Sequence, residues 1–162
     1  MDLEKYTLKD LFVIAINSEI ESKKVYERLE ERVDNILLKE RFQFLAKEED
    51  KHRSYLEKSF AKKFPGEKIE LSSTITTPLP EIKADDDMPI SEILQSAMDA
   101  EMAAREFYLS LSEKVEEEEL VKMLKIFADM ELGHYRLLEI EKQLAEKFED
   151  YEAMWPEFHV GP

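Results

Sequence analysis

From Thr7 onward, Leu8, Phe12, Ala15, Glu19, Ser22, Tyr26, Leu29 and Val33 follow one another by alternating steps of four and three. That spacing keeps side chains on one face of an α-helix, so a helix capped by Thr7 is predicted, with its seam turned inward. After "VDN", where Asp34 is a candidate cap, a second seam runs Leu38, Phe42, Leu45, Glu49, His52, Leu56, until Pro65 and Gly66 stop the helix. Residues 64–90 carry Pro65, Pro78, Pro80 and Pro89 around "LSSTITT" and show no helical period. This stretch exceeds the roughly 12 to 15 residues usual for a loop and reads as a long, partly extended crossover. A third seam follows, Leu94, Ala97, Glu101, Ala104, Tyr108, Leu111, Val115, and then a fourth, Leu120, Leu124, Phe127, Glu131, His134, Leu138. The acidic run "VEEEEL" suits the start of the fourth helix, where the helix dipole favours negative charge. The segment "YEAMWPEFHVGP", with Trp155, Phe158 and His159, stands outside this pattern. The expectation is an all-α domain over 1–150, with hairpins at about 8–63 and 91–148, followed by a tail at 151–162.

The two hairpins repeat each other. Adding 82 to a position carries Glu19 to Glu101, Tyr26 to Tyr108, Ala46 to Ala128, Glu49 to Glu131 and His52 to His134. Each hairpin thus has a Glu on its first helix and, thirty residues later, a Glu-x-x-His on its second. Two such hairpins joined by a long connection predict a four-helix bundle with an approximate two-fold axis.

The repeat brings four carboxylates, Glu19, Glu49, Glu101 and Glu131, onto seams that are otherwise apolar, with His52 and His134 beside two of them. No seam position named above carries Lys or Arg, and two imidazoles do not neutralise four carboxylates. An unpaired buried charge costs several kcal/mol even after relaxation, so four would rival the roughly 5 to 15 kcal/mol total stability of a domain. Two divalent cations balance the four negative charges, and carboxylate oxygens with one imidazole nitrogen per ion suit iron or manganese. Glu49 and Glu131 are best placed to bridge the two ions, Glu19 and Glu101 to bind terminally, and His52 and His134 to give one nitrogen each. Tyr26 and Tyr108 lie seven residues beyond Glu19 and Glu101 on the same face. A phenol there can hydrogen-bond a carboxylate or relay a proton, which makes both tyrosines candidate proton donors. Ser22 and Ala104, one turn beyond the same glutamates, read first as small residues of ordinary helix packing, and their size would also leave room beside the metals for water, peroxide or dioxygen. Met98, Met123 and Met130 read as core, and His159 has no acid at ligand spacing.

Composition narrows the chemistry. The chain has no cysteine, which removes disulfides, iron–sulfur clusters and cysteine-ligated rubredoxin centres. With 23 basic and 38 acidic residues, the net charge of -15 argues against nucleic acid or an anionic membrane as partner. The opening "MDLEKYTLKDLF" lacks a basic segment followed by an apolar run, and nothing approaches the roughly 20 apolar residues of a membrane span, so a cytoplasmic protein is expected.

The pattern of Glu19, "EEDKH" ending in His52, Glu101, and "MELGH" ending in His134 resembles the di-iron domain of the rubrerythrins, within the ferritin-like superfamily, over about residues 8–148. The resemblance implies a ferritin-like four-helix bundle with two iron ions, manganese or a mixed pair being the variants. It also implies reduction of hydrogen peroxide to water, with ferroxidase action or iron buffering without turnover as alternatives. Two departures stand out. Full-length rubrerythrins usually carry a rubredoxin-like domain that feeds in electrons, so a chain without cysteine would need an external donor such as a rubredoxin-like protein. Rubrerythrins also commonly place a further Glu where this chain has Ala104, which leaves the redox-linked ligand exchange attributed to that Glu without its residue. A homodimer, with the hairpins exchanged between chains or not, is the assembly the resemblance implies.

Overall fold

The computed structural model describes residues 3–70, 78–85 and 87–154, except for the side chains of 150–154. The C-terminal tail with Trp155, Phe158 and His159 lies outside the described residues, as does the "LSSTITT" stretch. Four helices follow in order, α1 (Leu8–Arg32), α2 (Ile36–Lys63), α3 (Ile90–Ser112) and α4 (Glu118–Met154), and no strand occurs among the described residues.

Local chemistry sets the ends. Thr7 and Asp10 form a reciprocal capping box that opens α1. The cap of α2 is Asn35, whose side chain accepts from the amides of Leu37 and Leu38 at 2.9 and 3.2 Å, so the expected Asp34 is displaced by one residue. Gly66, at φ 83°, takes the left-handed turn that follows α2. Pro89 precedes α3, and there the Ser91 amide donates to Glu149 at 3.1 Å, an acid from α4 at the positive end of the α3 dipole. Helix α4 continues to Met154, past the boundary near 148 that the seam suggested.

The hairpins α1–α2 and α3–α4 carry the most extensive packing, and the crossover is strapped along α1. Arg28 donates to the Ala84 carbonyl, while Arg32 reaches those of Asp85 and Met88. Leu79 and Ala84 of the same segment are buried.

The core divides into two apolar clusters. One gathers Leu11 and Phe12 of α1, Leu56 and Phe60 of α2, Leu111 of α3, and Leu120 and Leu124 of α4. The other gathers Leu29 of α1, Phe42 and Leu45 of α2, Ile93 and Leu94 of α3, and Leu138 of α4. The start of α1 therefore packs with the end of α3, so the two hairpins run antiparallel, as an approximate two-fold axis across the bundle requires. Met98 is buried, whereas Met123 and Met130 are only partly so. Between the two clusters lies the polar layer.

Candidate metal centre

Because Glu19, Glu49, His52, Glu101, Glu131 and His134 each occupy the middle of a seam, folding carries all six into that layer. Each is no more than 4% exposed. The His52 Nδ1 lies 3.0 Å from Glu131 Oε1, 3.6 Å from Glu19 Oε2 and 3.7 Å from Glu49 Oε2. The His134 Nδ1 lies 2.9 Å from Glu131 Oε2 and 3.5 Å from both Glu49 Oε1 and Glu101 Oε2. Both rings thus turn the same nitrogen toward the carboxylates, which sequence spacing alone does not specify.

These atoms form two overlapping groups that could each hold a metal ion. Glu19, Glu49, His52 and Glu131 make one, and Glu49, Glu101, Glu131 and His134 the other, with the ligand atoms of each within 4.8 Å of one another. Glu49 and Glu131 belong to both. The side chains also fail to satisfy each other: Glu19 Oε2, Glu49 Oε1, Glu131 Oε1 and both ring nitrogens of His52 are buried without an aligned hydrogen-bond partner. Buried polar atoms are ordinarily paired, so crowded but misaligned donor atoms are what a shared cation explains best. Oxygen with a little nitrogen, and no sulfur, is a donor set that fits iron or manganese.

A shell of hydrogen bonds and rings surrounds the six. The Tyr26 hydroxyl donates to Glu101 Oε1 and the Tyr108 hydroxyl to Glu19 Oε1, so each phenol reaches across to the other hairpin's glutamate and ties the halves together. The tyrosines share a helix face with Glu19 and Glu101 respectively, yet the antiparallel arrangement of α1 and α3 exchanges their partners. Phe127 packs on the His52 ring at 4.3 Å between centroids, and Phe44 meets His134 edge-on at 6.3 Å. Ser22 lines a cavity of about 290 Å³ between α1 and the crossover, together with Ser18, Leu79 and Pro80.

Crowding shifts the titration of every member. Burial and the Glu49 charge raise Glu19 and Glu101 well above the usual carboxylate range. Burial works to raise Glu49 as well, but its contacts with Glu19, His134 and His52 hold it far below that range. Glu131 is lowered too, because His134 and His52 outweigh its burial and the Glu49 charge. Burial disfavours the charged imidazoles, yet Glu131, Glu19 and Glu49 push His52 up to about 12, and Glu101, Glu131 and Glu49 push His134 far up. Burial, with Glu101 beside Tyr26 and Glu19 beside Tyr108, keeps both phenols protonated.

A proton count follows. Cations bind deprotonated imidazole and carboxylate, so loading two ions near pH 7 should expel one proton from each of His52 and His134 and up to two more from Glu19 and Glu101. Protons are released on binding, so acidification must weaken it, by about tenfold per pH unit for each proton released. Calorimetric titration with a divalent cation in buffers of different ionisation enthalpy measures the count. Two to four protons per chain are expected, and binding without proton release would contradict the protonation pattern.

The comparisons with known proteins agree with this geometry. The rubrerythrin family model matches residues 10–142. The chain belongs to the rubrerythrin family. A solved structure from Pyrococcus furiosus, described as hypothetical protein Pfu-1136390-001, superposes with a TM-score of 0.80 at 33% identity, covering 91% of this chain and 95% of that one. No curated protein matches. The rubrerythrin match spans all six side chains of the polar layer, and the four helices form a ferritin-like bundle. No helix among the described residues is long and apolar enough to cross a membrane.

Proposed function

We propose that this rubrerythrin-family chain is a di-iron carboxylate oxidoreductase that reduces hydrogen peroxide to water with electrons from an external donor. The observation that carries the reading is the sharing of Glu49 and Glu131 between the two candidate ligand groups, which calls for two adjacent ions. In this reading Glu49 and Glu131 would be shared by both ions, with Glu19 and His52 completing one ligand group and Glu101 and His134 the other. Such a site, loaded with ferrous iron, would supply the two electrons that cleavage of the peroxide O–O bond requires, with two protons completing two waters.

The remaining work belongs to the chain. Tyr26 and Tyr108 orient Glu101 and Glu19 through their hydroxyls and hold protons within reach of the layer. The apolar clusters on either side keep water out and strengthen every charge interaction inside. These 162 residues hold no cysteine for a cysteine-ligated electron relay, and in this reading the electrons come from a donor outside them. A cytoplasmic location fits that requirement. The same absence favours a second reading, ferroxidase action or iron buffering without sustained turnover.

Stopped-flow mixing of the two-iron ferrous protein with peroxide, and separately with air-saturated buffer, tests the choice. A peroxide reductase should consume about one peroxide per iron pair, react faster with peroxide than with dioxygen, and keep both ferric ions bound. Faster reaction with dioxygen, or loss of iron after one cycle, would replace peroxide reduction by the second reading.

A further inference from the structure

On α1, Lys23 turns toward α2 and donates to Asp50 at 2.8 Å, while the Tyr26 hydroxyl reaches Glu101 of α3. Ser18 and Ser22 lie on the α3 side of Glu19, the first as its neighbour in the chain and the second one turn further on. Both line the cavity of about 290 Å³ between α1 and the crossover. Glu19 itself is buried, with Oε2 unpartnered. The cavity thus adjoins the Glu19 end of the polar layer. Its roof is tied down on both sides, because the Lys83 amide donates to Ser96 of α3 at 2.8 Å and Arg28 of α1 donates to the Ala84 carbonyl.

Size and lining narrow what fits. Water occupies about 30 Å³ in the liquid and hydrogen peroxide needs little more, so the cavity is several times larger than that substrate requires. Val25, Leu79, Pro80 and Ile82 give it an apolar wall, and Asn17, Ser18 and Ser22 give it hydrogen-bonding groups. An apolar wall with a few polar groups is the make-up of a small-molecule site. Glu21 and Glu81 also line it, and no Lys or Arg does, although Lys24 reaches Glu21 at 2.8 Å. Like charge therefore disfavours an anionic ligand. The internal repeat supplies a control. Shifted by 82, Ser22 and Val25 become Ala104 and Phe107, which pack into the core, so that flank of α3 is filled where the flank of α1 is open.

We propose that the cavity receives the alkyl group of a small, neutral organic hydroperoxide, a further substrate class for the peroxide reduction proposed above, on which this inference rests. The alkyl group packs on Val25, Leu79, Pro80 and Ile82, and the hydroperoxy group turns past Ser18 and Ser22 toward the layer. The O–O bond breaks, two electrons that originate in the external donor and two protons are taken up, and one alcohol and one water result.

Anaerobic mixing of the two-iron ferrous chain with tert-butyl hydroperoxide tests the proposal. About one tert-butyl alcohol per chain is expected, at a second-order rate constant within about tenfold of that for hydrogen peroxide. A fatty-acid hydroperoxide, which carries a carboxylate, should react at least about 100-fold more slowly than tert-butyl hydroperoxide. Val25→Phe installs the residue of the repeat position. It should slow tert-butyl hydroperoxide at least about tenfold and change the hydrogen peroxide rate less than about twofold, with helicity and metal stoichiometry unchanged. The NMR spectrum of the metal-free full chain gives a readout independent of turnover. There tert-butyl alcohol should shift the amides of Ser18, Ser22 and Ile82, and Val25→Phe should abolish the shifts. Reduction of hydrogen peroxide but not of tert-butyl hydroperoxide would overturn this inference alone, as would equal slowing of both by Val25→Phe, or unshifted amides. Inertness toward both peroxides would overturn the proposed function and this inference with it.

Discussion

Anaerobic addition of ferrous or manganous ions in excess is expected to raise the melting temperature by at least about 10 °C. A ligand bound only by the native state stabilises it by RT ln(1 + [L]/Kd), about 4 kcal/mol per site at a thousandfold excess over Kd, and a domain of this size gains about 2 to 4 °C per kcal/mol. The physical source is the polar layer. With no cation present, the layer meets the repulsion of its carboxylates by holding protons on Glu19, Glu101 and the two imidazoles, whereas two divalent ions would satisfy Glu19 Oε2, Glu49 Oε1 and Glu131 Oε1 directly. Differential scanning calorimetry with and without metal measures the shift. An unchanged melting temperature at saturating ion would mean that the layer is not a metal site.

The second large effect is graded by residue. Glu49 and Glu131 belong to both candidate groups, while Glu19 belongs to one. The double variant Glu49→Gln, Glu131→Gln removes two of four negative charges from the middle of the layer and should weaken binding of both ions by at least about 100-fold. Glu19→Gln keeps an oxygen that can accept from Tyr108, and it should weaken one ion while leaving the other in place. Isothermal titration of the three proteins separates these outcomes. Equal loss from Glu19→Gln and from the double variant would refute the division into bridging and terminal carboxylates.

Much of this was legible in the chain because the bundle is built from local pattern. A helix keeps i, i+3 and i+4 on one face whatever it packs against, so the seams predicted which carboxylates would be buried before any partner was known. The 82-residue shift then made the two halves evidence for each other. Where geometry depends on how the hairpins meet, the pattern was silent. Tyr26 lies on the helix of Glu19, but its hydroxyl donates to Glu101, because α1 and α3 run antiparallel and bring position 26 beside position 101. The Nδ1 orientation of both histidines depends on side-chain torsions that spacing does not encode. Asn35 rather than Asp34 caps α2 because a one-residue difference in where the chain turns changes which side chain reaches the free amides, and both residue types cap well.

The central claim is that the polar layer is built for two cations shared through Glu49 and Glu131. Equilibrium dialysis of the unaltered chain against ferrous iron under anaerobic conditions, followed by metal analysis, tests it most directly. The account predicts saturation at two ions per chain, with both lost in the Glu49→Gln, Glu131→Gln variant at the same free-iron concentration. Saturation at one ion or none, or two ions retained by that variant, would contradict it.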